Sequence, residues 1–208
     1  MTSRHFLSFA LTAWIALLLC VPLPTAGAAT TPTDFIRSVV GQVFHTLQTY
    51  PVSGPEENMA KRRSGIKAII DANFDAEDMS RRALGKYWKE QTPAKQQEFT
   101  DLFYWRLYNF YILRVETYSD EKVLYKKELN KGAVASVLTQ ILSRKYPEFD
   151  IEYRVKKKND EWKIYDVVIE GVSLVANYRS QFGSFLGKKS FDELLRELRE
   201  KNPEKPLP

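Results

Sequence analysis

WKIYDVVIEGVSLVANYRSQF, residues Trp162 to Phe182, joins two secondary-structure signals through one glycine. Trp162 to Ile169 is dense in aromatic and β-branched residues and reads as a strand. Gly171 supplies a turn, and from Ser173 onward Leu174, Tyr178, Phe182 and Phe185 recur on one side of an amphipathic helix. The stretch holds no nucleophile–base pair, no metal-ligand cluster and no glycine-rich phosphate loop. So ordered a segment without reactive groups suggests a container rather than a catalyst.

Upstream, three further runs alternate with period two. Val123, Tyr125 and Leu129 alternate with charges, and Ala133, Ala135, Val137, Thr139 and Ile141 make one face. Phe149, Ile151, Tyr153 and Val155 alternate strictly with Asp150, Glu152, Arg154 and Lys156. Asn130-Lys131-Gly132 and Asn159-Asp160 carry hairpin-turn chemistry, so four strands form an antiparallel meander with one apolar and one wet face.

Before the strands the period is helical. Thr33 and Asp34 are positioned to cap a first helix carrying Phe35, Val39, Val43 and Leu47, which Pro51 ends. A second helix is expected from about Glu56 to Asp71, with Ile66, Ile69 and Ile70 inward. A third runs from about Ala76 to Leu84 behind Asp75 as cap. Thr92-Pro93 opens the longest, in which FTDLFYWRLYNFYILRV from Phe99 puts apolar side chains on every face. Such a helix must be covered all round, by other helices on one side and by a sheet or an apolar ligand on the other. Ser190 to Glu193 is a capping box opening a final helix with Leu194, Leu195 and Leu198. The fold class is therefore α+β: helices packed on a curved antiparallel sheet, of the cone-like kind found in nuclear-transport-factor-like folds, enclosing an apolar space.

The ends bound the compartment. Arg4, an apolar core from Phe6 to Val21, Pro22 and Pro24, then Ala26-Gly27-Ala28 read as a secretory signal cleaved near Ala28 or Ala29. Residues 1–29 are thus a removed signal, and 30–208 a single domain whose tail begins at Asn202. The one cysteine, Cys20, leaves with the signal, which excludes disulfides, zinc thiolates and cysteine nucleophiles from the mature chain. His45 remains as the only histidine, against His-based metal sites and Ser-His triads. The formal charge is +5, from 31 Lys and Arg against 26 Asp and Glu. Its basic runs, Lys61-Arg62-Arg63 and Lys156-Lys157-Lys158, read as solvated faces, with anionic headgroups or an acidic protein surface as the alternative partner. Nucleic acid is not expected.

Asp166 and Glu170 stand four apart and would share a strand face, so acid–base catalysis in a cone-shaped fold is one alternative. Ordinary ion pairing with nearby Lys and Arg is the other, and no catalytic residue, metal or cofactor is expected.

The wording from Trp162 to Val175, followed by Asn177-Tyr178-Arg179-Ser180-Gln181-Phe182, resembles the signature of the MlaC family of periplasmic phospholipid-binding proteins, also called toluene-tolerance proteins. The order of elements is similar too, across about Thr33 to Lys201. The resemblance implies a carrier of diacyl phospholipid. It would work between an outer-membrane lipoprotein complex of the MlaA type and an inner-membrane ABC transporter with an MlaD-type ring, maintaining outer-membrane lipid asymmetry. Relatives associated with hopanoid synthesis share the fold, so a hopanoid is the alternative cargo.

Burying a CH₂ group is worth about 0.8 kcal/mol, so two chains of about 15 such groups hold on the order of 24 kcal/mol against water. A carrier must supply an apolar interior, and the long helix and the inner sheet face are its natural walls. The side chains expected to contact acyl chains are Phe103, Leu107 and Phe110 on the helix, and Val137, Ile151, Tyr153, Tyr165, Val167 and Ile169 on the strands.

Overall fold

The computed structural model describes residues 30–118, 121–144 and 147–201. The signal-sequence reading of residues 1–29 and the tail reading from Asn202 lie outside the described residues. The order is α1 (Pro32–Thr49), α2 (Glu57–Asn73), α3 (Ala76–Leu84), a 3₁₀ segment (Gly85–Glu90), α4 (Pro93–Glu116), β1 (Lys122–Asn130), β2 (Val134–Leu142), β3 (Phe149–Lys158), β4 (Glu161–Ile169), β5 (Val172–Ser173), α5 (Leu174–Leu186) and α6 (Phe191–Glu200). The strands form one antiparallel sheet in the order β1-β2-β3-β4-β5. The α+β class and the antiparallel meander are as the sequence implies.

Helix starts follow side-chain chemistry. Asp75, Thr92, Ser173 and Ser190 each accept the backbone N–H three residues on, satisfying a donor that no helical carbonyl reaches. The first helix begins earlier than Thr33. Thr31 is its cap, accepting from the Asp34 N–H at 3.1 Å, because Pro32 sits more cheaply at the first position, where no N–H is needed. Thr33 instead donates to Glu128 of β1, at 2.6 Å from its hydroxyl, tying helix to sheet.

The β3–β4 hairpin closes through Asn159 and Asp160, both at positive φ (51° and 64°), the mirror-image turn that matches strand twist. Glu170 and Gly171 repeat it between β4 and β5, with φ of 48° and 77°. The two-residue β5 is too short for periodicity to reveal, so the sequence shows four strands and the described residues hold five.

Three apolar clusters organise the interior. Phe99, Phe103, Tyr178, Phe182 and Phe191 interlock edge-to-face and tilted among α4, α5 and α6. Ile36 and Val39 of α1 pack on Val137, Val155 and Ile164 at one end of the sheet. Leu47, Ile66 and Ile112 join α1, α2 and α4. Helix α4 packs against α3 and α6 and, through Phe99 and Phe103, against Tyr178 and Phe182 of α5.

Each basic run turns one cation inward, Arg62 in the first and Lys156 in the second. Arg62 is 2% exposed: its guanidinium donates to the carbonyls of Leu47 and Tyr50 at 2.8 Å and of Glu116 at 2.6 Å. The Lys156 ammonium lies 3.0 Å from Asp75 and 2.8 Å from Asp78, both buried, while Arg81 and Arg82 also bond Asp78. The solvated-face reading thus fails for Arg62 and Lys156. Alternation of charges along a sequence cannot show which of three neighbours points inward.

Burial alone would raise the Asp78 carboxyl, but Lys156, Arg82 and Arg81 hold it down at about 2, against an ordinary 3.8. A group depressed on folding stabilises the fold above its unfolded pKa and loses that contribution as pH falls through the folded one. The melting temperature is therefore expected to fall between about pH 4 and pH 2, and Asp78→Asn to flatten that limb while lowering the plateau. An unchanged limb in the variant would remove the cluster from the account.

Candidate lipid-binding cavity

Between α4 and the sheet lies a cavity of about 770 Å³. That is toward the upper end of the ~300–1,000 Å³ usual for ligand pockets. Its walls come from α1 (Val39, Val40, Val43, Phe44), α2 (Ile66, Ile69, Ile70), the cavity side of α4, and the strands. The phenols of Tyr104, Tyr108, Tyr111, Tyr118 and Tyr153 line it, and burial pushes every one upward, so they stay neutral. Tyr104 donates to Asp71 at 2.6 Å and Tyr108 to the Arg63 carbonyl at 3.1 Å, turning their polar tips outward.

Why the space exists follows from where α1 runs. It covers the half of the sheet holding Ala135, Val137, Val155 and Ile164. At the other end, where Val123 pairs with Ile141, Ile141 with Phe149 and Ile151 with Ile169, the inward side chains line the cavity. Of the lining residues, Leu113, Arg114, Thr117 and Glu170 are exposed, so the mouth lies where α4 ends and β4 turns.

Of the side chains expected on the wall, Phe103, Leu107, Ile151, Tyr153, Val167 and Ile169 line this cavity, and Phe110, Val137 and Tyr165 do not. Phe110 is 49% exposed. It lies nearly on the face of Phe103 two turns on, but the Tyr178 and Phe182 rings that cover Phe103 make no ring contact with it. Val137, fully buried, belongs to the dry contact with α1. Tyr165 is displaced by a bulge: Val155 pairs with Ile164 but Arg154 pairs with Asp166, so Tyr165 is the extra residue. Its ring instead stacks under the Arg82 guanidinium, 4.2 Å away.

The α1 and α2 stripes, and Tyr104, Tyr108 and Tyr111, also line the cavity and are not among the side chains expected there from the sequence. The available signal was excess: more apolar helix faces than one sheet face covers.

The two carboxylates weighed for acid–base work are separately engaged. Asp166 accepts from the Ser173 hydroxyl at 2.6 Å, from the Val175 N–H at 3.1 Å and from Arg154 at 3.1 Å, bracing the N-terminus of α5. Glu170 sits in the turn and accepts the Asp150 N–H. Asp166→Asn is expected to cost about 1–3 kcal/mol in urea unfolding, because the amide cannot accept all three donors. A variant of unchanged stability would contradict that bracing role. Among the described residues no helix is long and apolar enough to cross a membrane.

The family model of the MlaC protein matches residues 37–200. The toluene tolerance protein ttg2D of Pseudomonas putida is 24% identical over 86% of this chain and 83% of its own length. The intermembrane phospholipid transport system binding protein MlaC of Haemophilus influenzae is 22% identical over 93% and 90%. A phospholipid-binding protein from Ralstonia solanacearum, solved in complex with a phospholipid, superposes with a TM-score of 0.74 at 23% identity. That match covers 84% of this chain and 97% of the other.

Proposed function

The chain belongs to the MlaC family, and on that premise we propose that it is a periplasmic carrier of diacyl phospholipid. In this reading residues 1–29 are removed on export and the single remaining domain holds the acyl chains in the cavity beneath α4. It shuttles lipid between an outer-membrane lipoprotein complex of the MlaA type and an inner-membrane ABC transporter bearing an MlaD-type ring, and so maintains the lipid asymmetry of the outer membrane. It is not an enzyme: carriage breaks no bond.

The observation that carries the reading is the cavity. About 770 Å³ of space with a wall of aliphatic and neutral aromatic side chains has no use for a polar solute. Its opening at Leu113, Arg114, Thr117 and Glu170 leaves a headgroup in water, where its charge avoids the cost of burial. The Ralstonia and Haemophilus relatives, by what they bind or transport, support the same cargo. Phe103, Leu107, Ile151, Tyr153, Val167 and Ile169 are the proposed acyl contacts.

Vesicle-to-vesicle transfer tests it. Protein added between donor vesicles holding a tail-labelled phospholipid and unlabelled acceptors is expected to speed transfer in proportion to its concentration, and Glu170→Gln to leave the rate intact. Transfer no faster than in buffer, from a protein shown to be folded, would contradict carriage.

A further inference from the structure

Among the described residues, two charged ones, Arg114 and Glu170, stand in the cavity's lining. Glu170 is occupied by the Asp150 N–H, and its own N–H donates to the Asp150 carbonyl at 3.0 Å, which holds it in the turn. Arg114 is different. Its guanidinium forms no ion pair among the described residues and lies 5.8 Å from the centre of the exposed Phe110 ring. The backbone beneath it is fixed, because its carbonyl accepts from both the hydroxyl (2.7 Å) and the N–H (3.2 Å) of Thr117. In the basic runs elsewhere, Arg62, Arg63, Lys156 and Lys158 are engaged by Asp75, Asp78, Glu116 and helix carbonyls. An arginine fork presents several N–H donors matched to phosphate oxygens, and here it stands at the border of apolar cavity and water.

We propose that Arg114 holds the phosphate of the bound lipid, so that the site selects phosphodiester lipids over uncharged lipids with the same acyl chains. This rests on the carrier reading and narrows it: the cavity wall takes any two acyl chains, and the mouth supplies the discrimination. An uncharged lipid leaves the guanidinium with water alone, whereas a phosphodiester exchanges that water for charge-assisted bonds.

Competition against a tail-labelled phospholipid on the mature protein tests this. Unlabelled phosphatidylethanolamine or phosphatidylglycerol is expected to compete about tenfold better than diacylglycerol with identical chains. Arg114→Met is expected to abolish that difference while melting at the same temperature, and Arg114→Lys to restore part of it. Equal competition by both lipid classes on the unmodified protein, or an undiminished preference in Arg114→Met, would overturn the assignment. Inorganic phosphate alone is expected to leave the melting temperature unchanged, and Arg114-dependent protection by it would mark a free-anion site and overturn the lipid reading of Arg114. Failure of the unmodified protein to bind the labelled lipid at all would bring down carriage itself, and this inference with it.

Discussion

Arg62→Met is expected to lower the melting temperature by roughly 10 °C. One guanidinium, 2% exposed, holds the ends of two helices: the carbonyls of Leu47 in α1 and of Tyr50, its C-cap, and the Glu116 carbonyl of α4. The last carbonyls of a helix have no intrahelical partner, and buried ones must find another donor. Burial disfavours the cation and the nearby Glu116 carboxylate favours it, with burial the larger effect. The charge is therefore kept for its geometry. Methionine fills the volume but donates nothing. Leaving buried acceptors unmet costs about 1–3 kcal/mol each, and disrupting a buried charged network about 3–5 kcal/mol in all. Lysine, with a point charge on a single atom, is expected to recover little. Arg37→Met, which removes an exposed pair with Asp34, serves as the control and should cost under about 1 kcal/mol. A shift for Arg62→Met no larger than the control's would show that the helix ends are held by something else.

The second large effect separates wall from core by charge. Val137→Asp is expected to abolish cooperative folding, since the side chain is fully buried against α1 with no polar partner, and an unpaired buried acid costs several kcal/mol. Leu107→Asp, on the cavity side of α4, is expected to melt cooperatively with a loss of about 1–2 kcal/mol. Its carboxylate faces space that water can enter once lipid is absent. That same water is incompatible with acyl chains, so the variant should purify folded and empty. Leu107→Asp unfolded, or folded with its full lipid load, would mean that the space beneath α4 is not the cargo site.

Much of this was written in local sequence. The helix starts at Asp75, Thr92, Ser173 and Ser190 follow from residue types whose oxygens cap, and the period-two runs fix which side of each strand faces in. What period cannot convey is depth. Val137 and Ile151 both sit on inward faces, yet Val137 is fully buried in the cluster with Ile36 and Val39 of α1, while half-buried Ile151 at the margin of that cluster lines the cavity. Tyr165 shows a second limit. A single bulge after Ile164 breaks the alternation, moves one aromatic out of the cavity and restores phase for Val167 and Ile169. Phe110 shows a third: it repeats the heptad position of Phe103, but the covering rings belong to α5, far along the chain. Arg62 and Lys156 were hidden within basic runs, since long-range acceptors such as the Glu116 carbonyl and Asp78 leave no local trace.

The measurement that bears most directly on the central claim is solvent extraction of the gently purified protein, with its lipid identified and counted by mass spectrometry. About one diacyl phospholipid per chain is expected, of mixed acyl composition, retained through gel filtration and lost in Leu107→Asp. Recovery of no lipid from the folded, unmodified protein, or of a hopanoid in place of any phospholipid, would contradict it.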